Sequence, residues 1–241
     1  MSEETTAKTE TKTETKTEKK PLLSENKIEI LVAIFLGITA LLTAWATWIG
    51  SLHGGNQATN YTKSNNIAAE GNSEYNSGMQ EYLSDVMVWN TYMSYCFDQE
   101  IAEANGNSAE AALISEKIDT FLEQNGSDIL IDAVQEMTED QESPFEVEGM
   151  IDRYFENANQ LLAESQALLE QGQQDNSNGD TYNLVVVIYS LVLFLLGIVG
   201  IFKKIPNRAV VLIIAIVFLI FAAIYMCTIP LPTGFSFSNY F

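Results

Sequence analysis

The stretch TAWATWIGSLHGGNQA, residues 43–58, lies where a long apolar run gives way to polar sequence. Three such runs, each nearly free of charge, occupy residues 27–50, 183–202 and 209–229. A helix rises about 1.5 Å per residue, so about 20 residues are enough to cross the hydrocarbon core of a bilayer. The sequence therefore predicts an all-α membrane protein with three transmembrane helices.

A cleaved signal peptide is the alternative interpretation of the first run, because Ala44-Trp45-Ala46 fits the small-residue pattern of a cleavage site. The first 27 residues contain as many acidic as basic residues, and the run is longer than a typical signal core. A retained span is therefore favoured. The tail itself, residues 1–26, has too few apolar side chains to fold and is predicted to be disordered.

Basic residues beside the predicted spans indicate the orientation. They are Lys19, Lys20, Lys27, Lys203, Lys204 and Arg208. Because basic residues close to the spans favour the cytoplasmic side, the tail 1–26 and the turn 203–208 are predicted to be cytoplasmic. Residues 51–182 and the aromatic tail 230–241 then lie outside a plasma or inner membrane.

Small residues recur along the first span and beyond it at alternating steps of four and three positions. They are Ala33, Gly37, Ala40, Ala44, Thr47, Ser51, Gly54 and Ala58. We call this set the small-residue stripe. Small side chains let a second helix approach closely in lipid, where association depends on close backbone packing. The stripe is thus predicted to be a helix-packing seam, and the protein to be a homo-oligomer or bound to a membrane-protein partner.

The alternation of four and three positions continues beyond Ala58 and includes Asn65 and Asn72. A sustained period of 3.5 residues is typical of supercoiled helices, so the first span is predicted to continue outward as one long helix. The two asparagines are candidates either for fixing the register of a coiled coil or for lining a pore. Glycine weakens a helix interior, so the pair Gly54-Gly55 leaves open whether the helix is continuous there.

Residues 51–182 contain 25 acidic residues against three basic ones and are predicted to form an acidic helical bundle. Cap and turn signals predict a helix over 108–124, a short helix capped by Ser127 or Asp128, and a helix that starts at Ser143-Pro144. The stretch QGQQDNSNGD, residues 171–180, is expected to end that last helix or loosen it before the second span. With a formal net charge of −20, the chain lacks the basic surface that nucleic acids require.

The sequence contains few residues that could form a catalytic or metal-binding site. His53 is the only histidine, and a general base or a metal site needs partner side chains that its neighbours Asn56 and Gln57 do not supply. We expect an interfacial histidine that responds to pH. The acidic residues of 139–148 do not match an EF-hand loop, so only weak binding of divalent cations is left open. No catalytic residue, cofactor or dedicated metal site is predicted, and the chain is not expected to be an enzyme.

Trp45 and Trp48 are predicted to anchor the first helix at the outer interface of the bilayer, the depth that amphipathic aromatic rings prefer. They lie three residues apart and therefore on one side of a helix. His53 follows within two turns.

Three segments together resemble an uncharacterised family of short three-span prokaryotic membrane proteins. They are TAWATWIGSLHGGNQATNY at 43–61, SPF at 143–145 and DTYNLVVVIYSLVLFLLGIVGIF at 180–202. The resemblance implies the topology, with a helical outer domain between the first and second spans, and implies no catalytic activity.

The function predicted from these features is that of a non-enzymatic, multi-pass membrane scaffold, assembly or sensory component that acts through helix–helix association. One alternative is a homo-oligomeric, cation-permeable channel with an acidic outer vestibule. A membrane enzyme is a further alternative, which the missing catalytic constellation disfavours.

Overall fold

The structure is a computed structural model that describes residues 25–201 and 205–239. Its helices are α1 (Glu25–Ala104), α2 (Ser108–Asn125), α3 (Asp128–Glu136), α4 (Met150–Arg153), α5 (Glu156–Val199) and α6 (Ile205–Thr228). Two short 3-10 helices cover Pro144–Glu146 and Phe237–Asn239. Most of the predicted disordered tail and the lysines at 203 and 204 lie outside the described residues.

The prediction of an all-helical chain with three long apolar helices is confirmed. Helices α1, α5 and α6 each contain a stretch that is long and apolar enough to cross a membrane, with mean hydropathies of 2.2, 2.5 and 3.2. No strand occurs within residues 25–201 and 205–239. Backbone hydrogen bonds made inside each helix are what a segment of this hydropathy needs in lipid, where no water can replace them.

Helix α1 runs for 80 residues without interruption and passes through Gly54 and Gly55. The outward continuation predicted from the periodicity is therefore present in the structure. Helix α5 is also continuous through residues 171–180, so the expectation that this polar stretch ends or loosens the helix is wrong. Burial of Gly172, Asp175 and Gly179 shows why, since tertiary packing of one face outweighs the low helix propensity of these residues.

The helix expected to start at Ser143-Pro144 is broken in the structure. Ser143 caps only the 3-10 helix Pro144–Glu146, and Gly149 then takes a left-handed conformation with φ 75° before α4. A residue with a Cβ atom is strained in that conformation. The single turn of α4 precedes α5, which starts at Glu156.

The chain divides into two compact units. The apolar unit comprises the described parts of Met1–Gly50 and Asp180–Leu231, and the acidic unit comprises the described parts of Ser51–Gly179 and Pro232–Phe241.

The core of the apolar unit consists of side chains that follow one another mostly at intervals of three or four residues along its helices. Buried members are Ile28, Ala46, Ile49, Tyr182, Val185, Tyr189, Val192, Leu196, Leu212, Ala215, Leu219 and Ala222. The Tyr189 hydroxyl donates to the Met226 sulfur at 3.8 Å, and the Tyr182 hydroxyl to the Ile229 carbonyl at 3.5 Å. Only five residues, 200–204, separate α5 from α6, so the two helices pack as an antiparallel hairpin.

Arg208 closes the turn of this hairpin. Its side chain is buried, and its Nε donates to the carbonyl oxygen of Val199 at 3.1 Å. This bond satisfies one of the carbonyls that the last turn of α5 leaves without an intrahelical donor. An Nη of the same guanidinium lies 3.6 Å from a carboxylate oxygen of Glu29 on α1.

The core of the acidic unit is small and lies where α1, α2 and α3 meet the segment 145–155. Leu130, Ala133, Met150 and Tyr154 form its centre. Tyr82 of α1 contacts both the Tyr154 and Phe145 rings edge-on, at centroid distances of 5.6 Å. Aromatic pairs of this geometry stabilise a core beyond the area they bury.

Candidate functional site

The small-residue stripe lies on the surface of α1. All eight members, Ala33, Gly37, Ala40, Ala44, Thr47, Ser51, Gly54 and Ala58, are exposed. The hydroxyl of Thr47 donates to the Thr43 carbonyl of its own helix at 2.8 Å. The stripe therefore presents small groups to its surroundings, with the Thr47 hydroxyl already satisfied.

A different face of α1 packs inside the chain. Ile28, Thr39, Ala46 and Ile49 are buried in the apolar unit, and His53, Ser64 and Gly71 in the acidic unit. Both faces repeat with nearly the same period, so the sequence pattern does not reveal which of them the chain covers itself. The stripe makes no helix-packing seam among the residues that the structure describes, and its role as a seam toward another chain stays a prediction.

The glycines of α1 differ in what surrounds them. A Cβ atom added to Gly37, Gly54 or Gly55 would have no neighbour within 4 Å. A Cβ on Gly71 would lie 3.1 Å from the Leu162 side chain, and one on Gly78 would lie 2.1 Å from the Tyr154 carbonyl oxygen. Packing inside the chain thus requires glycine at position 78 and leaves little room for a Cβ at position 71. Among the described residues, it does not account for glycine at positions 37, 54 and 55.

The remaining predicted residues are found on or near the surface. Asn65 and Asn72 are both exposed. Trp45 and Trp48 are half-buried, and their rings meet edge-on with centroids 5.3 Å apart. Their exposure is compatible with the roles predicted for them, as register or pore residues and as interface anchors, and those roles stay predictions.

A buried polar cluster, which the sequence did not predict, joins α1 to α5 within the acidic unit. His53 Nδ1 lies 2.8 Å from Asp175 Oδ1, and the two side chains are 1% and 5% exposed. Asn60 donates from Nδ2 to the second oxygen of Asp175 at 3.3 Å. We call these three residues the His53 cluster.

The sequence around His53 does not point to Asp175, because this carboxylate is not among the near neighbours of the histidine in the chain. Asp175 comes 122 residues later, in the polar stretch expected to interrupt α5. Its register offered a signal, since it precedes Tyr182 and Tyr189 by steps of seven residues and shares their buried face.

The His53 cluster holds helices together rather than exposing a reactive group. Buried polar groups cost stability unless they are hydrogen-bonded, and here each oxygen of Asp175 has a donor within reach. His53 and Asp175 are both almost completely buried, so the imidazole is not presented at the surface of the acidic unit. Further along the same two helices, the Ser64 hydroxyl donates to the Ser165 carbonyl and the Ser165 hydroxyl to the Ser64 carbonyl, each at 2.9 Å.

A second buried carboxylate, Asp85, fastens the start of α3 to α1. It accepts hydrogen bonds from the backbone N–H of Ser127 at 3.0 Å, from the Ser127 hydroxyl, and from the Tyr154 hydroxyl at 2.7 Å. Burial, followed by the bond to Asp85, raises the pKa of Tyr154. Ser127 in turn caps α3 by accepting from the Leu130 N–H at 3.1 Å.

Among the described residues, no group of three or more histidine, cysteine or acidic side chains has a geometry that could hold a metal ion. Comparison of the chain with protein-family models, curated proteins and solved structures finds no match. The resemblance based on the three quoted segments therefore stays an expectation.

Proposed function

We propose that the protein is a multi-pass membrane scaffold or assembly component whose exposed small-residue stripe packs against a helix of another chain. The observation that carries this proposal is the contrast between the faces of α1: the buried face makes the contacts within the chain, whereas all eight stripe residues are exposed. The apolar stretches of α1, α5 and α6 support placement in a bilayer.

The glycines give the proposal its energetic basis. Each glycine in a helix interior costs about 1 kcal/mol relative to alanine, and no neighbour in the part of the chain that the structure describes requires glycine at position 37 or 54. In lipid, two helices gain van der Waals contact only where their backbones approach closely, and small residues permit that approach. A partner helix along the stripe accounts for both glycines.

The orientation belongs to the same proposal. The basic residues beside the spans favour a cytoplasmic N-terminus and a cytoplasmic turn at 203–208. Residues 51–182 and the C-terminal tail are then extracytoplasmic, in a plasma or inner membrane. The acidic unit would meet partners or signals outside the membrane while the stripe holds the assembly within it.

The mass of the protein in its membrane assembly tests the proposal. One chain has a mass of 26.8 kDa. Native mass spectrometry of the full chain, released from nanodiscs formed directly from its own membrane, should give a multiple of this mass or one copy bound to a second protein. A species of a single chain, at concentrations where the protein is abundant in the membrane, would contradict assembly.

A cation-permeable channel is the second candidate, favoured by the exposure of Asn65 and Asn72 and by the acidity of the outer region. Amide side chains facing an axis of symmetry would line a wet path, and the acidic residues would concentrate cations at its mouth. Purified protein in liposomes would then conduct cations, with a conductance altered by Asn65→Leu or Asn72→Leu. An assembled protein that conducts nothing leaves the scaffold as the function.

A further inference from the structure

A small pocket opens in the acidic unit where α1, α2 and α3 meet. Its volume is about 230 Å³. Four aliphatic side chains form its floor, namely Ile118, Leu122, Ile131 and Val134. Each of them is only half-buried, so the floor keeps apolar surface that a ligand would remove from water.

Two carboxylates stand at the rim of this pocket. Asp119 and Glu123 line it from α2, and both are exposed to solvent. They are four residues apart on one helix, so their side chains are neighbours on the same face. A single ammonium group between them would donate hydrogen bonds to both, and charge-assisted bonds of this kind are the strong ones.

Tyr92 of α1 forms a wall of the pocket. Its ring stacks on Trp89 with centroids 5.2 Å apart and an angle of 21° between the planes. Burial, and after it the proximity of Cys96 and Asp119, raises the pKa of Tyr92, so the side chain remains a neutral phenol. The face of a neutral aromatic ring attracts cations.

The same pair of helices already holds one ammonium group on an aromatic ring. Lys117 of α2 places its Nζ 3.8 Å from the centroid of the Tyr95 ring of α1, one helical turn beyond Tyr92. This internal contact shows that the local geometry between α1 and α2 brings a cation onto a tyrosine face.

We propose that the pocket binds a small organic primary ammonium ion. Its charged head lies between Asp119 and Glu123 beside the Tyr92 ring, and its apolar body covers the aliphatic floor. The volume fits a single amine with a short alkyl or aryl group and is below that of a pocket for a drug-sized molecule. The acidic surroundings disfavour an anion, and a neutral ligand would gain no charge-assisted hydrogen bond from the two carboxylates.

Three probes with the same apolar body and different head groups test the inference. They are protonated phenethylamine, 2-phenylethanol and 3-phenylpropanoate, titrated into the full chain in nanodiscs with ¹³C-labelled isoleucine methyl groups. The signals of Ile118 and Ile131 should shift and saturate with phenethylamine, at a midpoint about tenfold lower than with the alcohol. The carboxylate should produce no shift. Equal midpoints for amine and alcohol, or no saturating shift with the amine, would overturn the proposal.

Isosteric variants separate the two rim carboxylates from the acidity of the whole unit. Asp119→Asn/Glu123→Gln should raise the phenethylamine midpoint about tenfold and leave that of the alcohol unchanged. Glu100→Gln/Glu116→Gln removes the same charge from exposed positions outside the pocket and should change the midpoint less than twofold. An equal effect of both double variants would overturn the proposal. These outcomes do not depend on the mass of the assembly, so the inference and the proposed function fail separately.

Discussion

His53 Nδ1 lies 2.8 Å from Asp175 Oδ1, although the two residues are 122 positions apart in the chain. The contact connects α1 to α5 inside the acidic unit, where both side chains are nearly inaccessible to solvent. It places the only histidine of the chain against a carboxylate. The pair therefore stabilises the packing of α1 against α5 within the acidic unit.

Removal of the imidazole should weaken that packing. His53→Ala deprives a buried carboxylate of a donor and should cost about 1–3 kcal/mol of local stability, measured by hydrogen exchange of the amides at 171–179 in the full chain. Asn66→Ala is the control, because Asn66 is exposed on α1. It should cost less than roughly 0.5 kcal/mol.

The double variant His53→Ala/Asp175→Ala shows whether the interaction between the two side chains is favourable. It removes the carboxylate of this pair together with its donor, so it should cost less than the two single changes together. Additive losses, or a cost of His53→Ala no larger than that of the control, would show that the pair does not stabilise the helix contact.

Two glycines of α1 should respond to alanine in opposite directions. A Cβ on Gly78 would lie 2.1 Å from the Tyr154 carbonyl oxygen, whereas one on Gly55 would meet nothing within 4 Å. Gly78→Ala should therefore destabilise the acidic unit by about 2 kcal/mol or more through backbone displacement, and Gly55→Ala should stabilise it by about 0.5–1 kcal/mol. Urea unfolding followed by near-ultraviolet circular dichroism measures both. Equal effects of the two changes would contradict the close approach of α1 to Tyr154.

Alkaline pH should destabilise the acidic unit through Tyr154, whose pKa is raised in the folded state above its ordinary value of 10.0. As the pH rises above 10, the unfolded chain loses this proton first, so the folded state loses stability by about 1.4 kcal/mol per pH unit. Below pH 10, the stabilisation that comes from the raised pKa of Tyr154 is fully present.

Tyr154→Phe isolates that contribution. At neutral pH the variant should be less stable by about 1 kcal/mol, because Asp85 loses one hydrogen-bond donor. Above pH 10 the difference between the two proteins should shrink, since phenylalanine does not ionise. Urea unfolding of both proteins from pH 8 to 11 measures this difference. Parallel pH profiles of stability would contradict the role assigned to the raised pKa of Tyr154.

Arg208 should stabilise the α5–α6 hairpin through its bond to Val199 rather than through its ion pair. Arg208→Met keeps the apolar stem and removes the donor, so it should cost about 1–3 kcal/mol. Glu29→Gln should cost less than about 0.5 kcal/mol, because Glu29 is largely exposed and its guanidinium contact is 3.6 Å long. Thermal unfolding in micelles compares them. A larger loss for Glu29→Gln than for Arg208→Met would reverse the assignment.

The sequence predicted the helical class and the long first helix because both depend on local periodicity and hydropathy. It did not predict which face of α1 packs within the chain. The buried face includes His53, Ser64 and Gly71, a mixture of polar and small residues that hydropathy does not distinguish from an exposed face. The partner of His53 and the continuity of α5 both depend on contacts distant in the sequence, which local propensity does not contain.

The central claim is that the small-residue stripe of α1 packs against another chain, and the matched pair Gly37→Leu and Gly197→Leu tests it most directly. Both glycines are exposed in the apolar unit, and a Cβ on either would meet nothing within 4 Å. Neither change should therefore disturb the fold of one chain. Native mass spectrometry from nanodiscs should show the Gly37→Leu protein without its assembly partner and the Gly197→Leu protein with the wild-type mass. An unchanged mass for Gly37→Leu would contradict the claim.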